Sequence, residues 1–291
     1  MSQYQTYTIE RFADDLENRF ERSFGQLGSA YKGFINWSAR MALDRIGSSD
    51  MLYHNVDHTM MVTIAGQEIL TGKQISDSGL TPKDWVEFTV ATLCHDIGYV
   101  RGVCSDDEEN EFVTQVGEPK ITLGPDTTDA MLTPHHVDRG KVFVCERFGN
   151  NSLLDISAER MAEFIEYTRF PPTKSETKTS FKELPDLVRA ADLIGQLGDP
   201  GYLRKIPALY YEFEQLGMNE KLGYTNPGQM RENYGNFFWG MVYPYIKDAI
   251  TYLEATERGR QWIATLFSHV FTIEHADEHG APKPTCSNPS K

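Results

Sequence analysis

Basic residues are the scarcer charge in this chain. Of 291 residues, 28 are Lys or Arg and 42 are Asp or Glu, a formal net charge of −14. A general nucleic-acid interface needs a basic face, and this balance argues against one. It leaves room for a small anionic substrate, because a bound divalent cation dominates the field around it. Long apolar runs are also missing. No run of about 18 apolar residues occurs, so no membrane span is expected. The first residues lack a basic segment followed by an apolar one, so no secretory signal is visible. Cysteine is sparse, with Cys94, Cys104, Cys145 and Cys286 only. None stands in C-x-x-C or zinc-finger spacing. These features favour a reducing compartment, and the expectation is a cytoplasmic protein with Cys94 as a core thiol.

Internal repeats and strand-rich blocks are absent too. What is present is helical periodicity, in a chain whose 40% hydrophobic content suffices for a sizeable core. Apolar stripes predict helices over 8–24, 30–46, 54–71, 136–148, 157–169, 183–198, 203–216, 229–256 and 258–275. Thr81-Pro82 reads as a cap and first helical position for a further helix running to about His95. Ser157 caps the helix after it, and Pro244 should kink or divide the helix over 229–256. Residues 101–128 are acidic and rich in Gly and Pro. They read as a solvated insertion, with a lid over a site as the sharper alternative. The polar run from Thr173 to Ser180 reads as a loop, and 281–291 as a disordered tail. The sum is one all-α domain over 1–280, with its core at about 30–270.

The chemistry-bearing residues fall in three pieces. Tyr53-His54-Asn55-Val56-Asp57-His58 comes first. Leu93-Cys94-His95-Asp96-Ile97-Gly98 follows at the end of an apolar helix. Arg189-Ala190-Ala191-Asp192-Leu193-Ile194 comes much later. His54 and His58 share a face if their segment is helical. His95 and Asp96 are adjacent, so they converge only where a helix turns or ends, which Gly98 permits. Two imidazoles and two carboxylates suit Mn²⁺, Mg²⁺, Fe²⁺ or Zn²⁺, one ion or two. Such an ion activates water and stabilises charge on phosphoryl oxygens, and a histidine donates the proton that a leaving alkoxide needs.

The combination Y-H-N-x-x-H, then H-D, then A-D resembles the HD superfamily of metal-dependent phosphohydrolases. It is similar in particular to the catalytic domain of cyclic-nucleotide phosphodiesterases. The resemblance implies an all-α HD-type fold with a metal site between helices. It implies His54 as general acid, and His58, His95, Asp96 and Asp192 as metal ligands with Asp96 bridging. Thr133-Pro134-His135-His136 looks like the family's E-N-H-H element. Residues 237–244 and 255–262 resemble its C-terminal helices. The sequence departs from the family at Tyr99, where H-D-x-x-H has its last histidine, and at Thr133. It departs again near Tyr234, where the purine-gripping glutamine would fall.

The expected activity is hydrolysis of a small nucleotide-like phosphodiester. A nucleotide phosphomonoesterase, an HD-fold di-iron oxygenase and a metal-bearing regulatory module are the alternatives. His135 or His136 is expected to contact a metal-bound water or complete a second metal site. Tyr99, Arg101, Tyr234 and Phe237 are candidate substrate contacts, Arg101 through its bidentate fork. The bland readings are a helix-start polar pair for His135 and His136, and loop exposure for Tyr99 and Arg101. For Asp57 the bland reading is a solvated or capping residue. For the spacing of His275 and His279 it is a solvated helix end.

Overall fold

The computed structural model of the chain describes residues 2–150, 154–172 and 180–275. The architecture is mainly all-α, as the periodicity predicts. Four helices come first: α1 (Gln3–Phe24), α2 (Lys32–Ile46), α3 (Val56–Ser76) and α4 (Pro82–Cys94). An irregular stretch then carries a two-residue antiparallel pairing, β1 (Glu111–Phe112) with β2 (Ile121–Thr122). Three helices follow: α5 (His136–Phe148), α6 (Ala158–Glu166) and α7 (Leu184–Leu197). Then come α8 (Tyr202–Gln215), α9 (Met218–Leu222), α10 (Pro227–Glu232) and α11 (Tyr234–Phe237). A π-helical turn over Phe238–Val242 leads into α12 (Tyr243–Leu253), and α13 (Glu257–Glu274) ends the described chain.

Local chemistry sets the boundaries. Thr81 and Asp84 form a reciprocal capping box, with Asp84 N–H donating to Thr81 Oγ1 at 3.1 Å and Thr81 N–H to Asp84 Oδ2 at 3.0 Å. Pro82 sits in the first turn, where its missing N–H costs nothing. Ser157 Oγ accepts the Arg160 N–H at 3.1 Å and starts α6. Pro244 divides the long apolar segment as expected, because it stands in the first turn of α12 directly after the π turn. The segment is broken further, at Asn233 between α10 and α11.

One buried apolar cluster runs from Ile9 to Val270, and α3 packs along α7 at its centre. The two helices approach closely because Gly195 lacks a side chain. A Cβ there would overlap the backbone of Val62. Val62 lies one turn beyond His58, and Gly195 one turn beyond Asp192, so this close contact brings the two motifs together. Gly98 does the same on the other side. A Cβ at Gly98 would overlap the carbonyl of His136, so the turn after Asp96 presses directly on the start of α5.

The stretch 101–128 is largely exposed, as its composition suggests, but it is anchored at a few buried points. Asp107 is fully buried against Arg139 of α5, and Phe112, Leu123 and Leu132 form their own small apolar cluster. Cys94 is a buried free thiol, and burial pushes its pKa up to about 12. No helix among the described residues is long and apolar enough to cross a membrane. The run from Thr173 up to residue 179, the segment 276–291 with His279 and Cys286, and hence the tail expectation lie outside the described residues.

Candidate metal centre

Four side chains from three helices meet. His58 comes from the first turn of α3. His95 and Asp96 come from the point where α4 ends, and Asp192 from the middle of α7. His95 Nε2 lies 3.1 Å from Asp96 Oδ2, 3.3 Å from His58 Nε2 and 3.6 Å from Asp192 Oδ1. His58 Nε2 lies 3.3 Å from Asp96 Oδ2 and 3.6 Å from Asp192 Oδ1. Donors about 2.1 Å from one ion stand roughly 3.0–3.4 Å apart at octahedral or tetrahedral angles. The spacings among His58, His95 and Asp96 fall in that range, and the two to Asp192, at 3.6 Å, are slightly longer. His58, His95 and Asp96 are buried, whereas 18% of the Asp192 side chain is exposed.

The orientation of the groups is as informative as their distances. Asp96 Oδ2 is buried and accepts no hydrogen bond, although two imidazole nitrogens stand beside it. His95 Nε2 and His58 Nε2 also stand within hydrogen-bond distance of each other, at 3.3 Å. His95 is held by its other nitrogen, with Nδ1–H donating to the Thr92 carbonyl at 2.8 Å, which turns the Nε2 lone pair inward. Burial disfavours charge on His95, but Asp96 and Asp192 outweigh it and lift its pKa to about 9. Burial likewise opposes the charge on Asp96. Its neighbours, His95 first, still hold its carboxyl well below the usual range. A divalent cation satisfies the same field, so the residues present fit such an ion.

His54 stands outside this set of four, and not on one helical face with His58. Asn55 is the cap of α3: its Oδ1 accepts from Asp57 N–H at 3.0 Å and His58 N–H at 3.3 Å. His54 therefore lies in the bend that precedes the helix. Its ring centroid is 5.4 Å from that of His58, and one donor atom each of His54, His58 and Asp96 lie within metal-ligand reach of one another. Its Nδ1–H donates to Glu212 Oε2 at 2.6 Å. Glu212 also accepts the Tyr53 N–H at 2.5 Å and the His54 N–H at 3.3 Å through Oε1. Burial opposes charge on His54, but Glu212 prevails and the pKa rises above the ordinary histidine value. Glu212, 2% exposed, is the residue of this candidate site that the motifs missed. The signal was its place three residues after Leu209, on the face of α8 that carries Ile206 and Leu209 into the core.

The remaining candidates divide. His136 joins the centre, with Nδ1–H donating to the Thr133 carbonyl at 2.6 Å and Nε2 standing 3.9 Å from Asp96 Oδ1. His135 does not face the centre, and it is the cap position of α5. Tyr99 is no exposed loop residue. It is buried and stacked on His54 at 5.1 Å and on His136 at 4.4 Å between ring centroids. Arg101 is engaged elsewhere, by Asp129 Oδ1 at 2.9 Å and the Thr127 carbonyl at 2.5 Å. Tyr234 is 2% exposed and packs in the core between Tyr202 and Phe238, so it is not placed to read a base. Phe237 packs edge-on against Phe170, with ring centroids 6.0 Å apart. Asp57 is exposed and pairs with Lys205, while the capping falls to Asn55.

A family model described as Npun_R2479-like matches residues 3–276, and the chain belongs to that family. No curated protein and no solved structure matches it.

Proposed function

We propose that this Npun_R2479-like protein is a metal-dependent phosphohydrolase acting on a small nucleotide-like phosphodiester. The observation that carries the reading is the buried, unbonded Asp96 Oδ2 facing His58 Nε2 and His95 Nε2 at 3.3 and 3.1 Å. A buried carboxylate oxygen without a donor is costly, and a cation removes that cost. His58, His95, Asp96 and Asp192 would hold a divalent ion such as Mn²⁺, Mg²⁺, Fe²⁺ or Zn²⁺. When bound, such an ion acidifies a coordinated water and takes up charge on phosphoryl oxygens.

The chain's own contribution is proton transfer and access. Glu212 fixes the Nδ1–H tautomer of His54, which leaves Nε2 to carry the proton that a departing alkoxide requires. A purely structural metal site has no use for this carboxylate–imidazole pair. Side chains of His54, Asp192 and His136 retain 17%, 18% and 19% exposure, so a small ester reaches the centre from their side. The order of motifs, similar to that of HD-type phosphohydrolases, supports the same chemistry.

The test is a screen of metal-reconstituted protein against cyclic dinucleotides, cyclic mononucleotides, nucleoside monophosphates and chromogenic phosphate esters. The expected result is metal-dependent cleavage of a phosphodiester, abolished by chelation and by Asp96→Ala. Cleavage of monoesters alone would shift the reading to a phosphomonoesterase. Absence of turnover with all four metals would overturn it.

A further inference from the structure

The stack of His54, Tyr99 and His136 bears on how many ions the centre takes. Two donor groups overlap in space: His58, His95 and Asp192, and His54, His58 and Asp96. His58 belongs to both, and a neutral imidazole binds one ion. Once His58 serves the first ion, a second has only His54, His136 and the outer oxygen of Asp96. The Tyr99 ring lies between those two imidazoles, tilted 27° to His54 and nearly parallel to His136 at 10°. The Thr133 carbonyl holds His136 Nδ1 at 2.6 Å, so the imidazole on which Tyr99 stacks is fixed in place. Charge points the same way. Asp96 and Asp192 together offset one divalent cation, and Glu212 is already committed to His54.

We infer that the centre takes a single divalent ion, and that Tyr99 is the spacer that keeps His54 and His136 from sharing a second. This rests on the metal reading above. Its chemical consequence is that His54 Nε2 stays free for proton transfer.

The experiment is metal counting on the full chain. The protein is reconstituted with Mn²⁺, desalted, and measured by elemental analysis and electron paramagnetic resonance. One Mn²⁺ per chain with an uncoupled six-line spectrum is expected. Two ions with a spin-coupled spectrum in the wild type would overturn the inference, leave the metal reading intact and restore the di-iron oxygenase alternative. No bound ion would sink the metal reading itself. His54→Gln and His136→Gln should each keep one ion, with affinity within about twofold of wild type. A loss of the ion in either variant would overturn the assignment. Tyr99→Phe keeps the ring and should stay at one ion. Tyr99→Ala, checked for fold by circular dichroism, should admit a second, weaker ion. A folded Tyr99→Ala protein that remains at one ion would reject the spacer role.

Discussion

Two buried charged clusters flank the same short turn, residues 95–100, and they are finished differently. On one side Arg139 spends every guanidinium nitrogen. Nε donates to the Gly98 carbonyl at 2.6 Å, and Nη1 to Asp107 Oδ1 and the Val113 carbonyl at 2.9 and 2.7 Å. Nη2 donates to Asp107 Oδ2 and the Val100 carbonyl at 2.9 and 2.8 Å. On the other side Asp96 keeps an oxygen with no donor. Both clusters are buried, so solvent does not explain the contrast. The first is complete within the chain and braces the turn that carries Tyr99. The second brings together His and Asp groups that could hold a metal ion. A buried cluster whose donors and acceptors match is a structural element.

The contrast breaks first at Arg139. Arg139→Met should cost about 3–5 kcal/mol, because it leaves Asp107 charged and buried without a partner. Chemical denaturation measures it. Replacing Asp107 by Leu in the same background should recover part of the loss, and no recovery would show that the pair is not the cause.

The candidate metal centre should respond more weakly. Asp96→Asn should cost the metal-free protein less than Arg139→Met does, because the neutral amide keeps the shape of the side chain and loses only the attraction to His95 and His58. The same change should abolish stabilisation by added Mn²⁺. In the wild type that stabilisation is about 2.7 kcal/mol at a hundredfold excess over Kd. Thermal melts with metal and with chelator check both halves. Strong destabilisation of metal-free Asp96→Asn would make the two clusters alike.

Catalysis sharpens the comparison next. His54→Ala should keep the ion and lose roughly a hundredfold or more in kcat on an alkyl ester. On a nitrophenyl ester the loss should shrink, because that leaving group needs little protonation. Glu212→Gln should follow the same leaving-group dependence with a smaller loss. Equal losses on both esters would reject the proton-donor role.

An unmet polar atom away from the centre gives a smaller test. The Tyr234 hydroxyl is buried without a hydrogen-bond partner, in a pocket of rings and not of ligands. Tyr234→Phe should therefore be neutral or stabilising by about 1 kcal/mol, with no change in kcat/KM for purine or pyrimidine substrates. A shift in base preference would return Tyr234 to the substrate site.

The smallest effect lies on the surface of α5 and α6. Burial alone would raise the pKa of Glu166, but Arg169 and Lys141 outweigh it and hold the carboxyl at about 2, below its ordinary 4.5. Its stabilising contribution is thus full above about pH 4.5 and is lost as pH falls towards about 2. The group is more than a third exposed, so solvent keeps the contribution under about 1 kcal/mol. Acid titration of Glu166→Gln against wild type should differ in that window only.

The sequence by itself determined most of the helices and singled out the candidate metal-binding residues. Periodicity, the Thr81–Asp84 box and Pro244 are local signals, read within one or two turns of chain. His58, His95, Asp96 and Asp192 were legible because their residue types and spacings are unusual. Their convergence was not, since it depends on how closely α3 and α7 approach at Gly195. Tertiary structure alone separated His136 from its neighbour His135, which adjacent positions in the chain cannot do. It alone selected Asp107 from the acidic run of Asp106, Glu108 and Glu109, by setting Arg139 opposite one of four similar carboxylates. It alone paired Glu212 with His54 across more than a hundred and fifty residues. The physical reason is the same in each case. Local order follows from backbone and neighbouring side chains, whereas the use of a charge depends on what the fold places a few ångströms away.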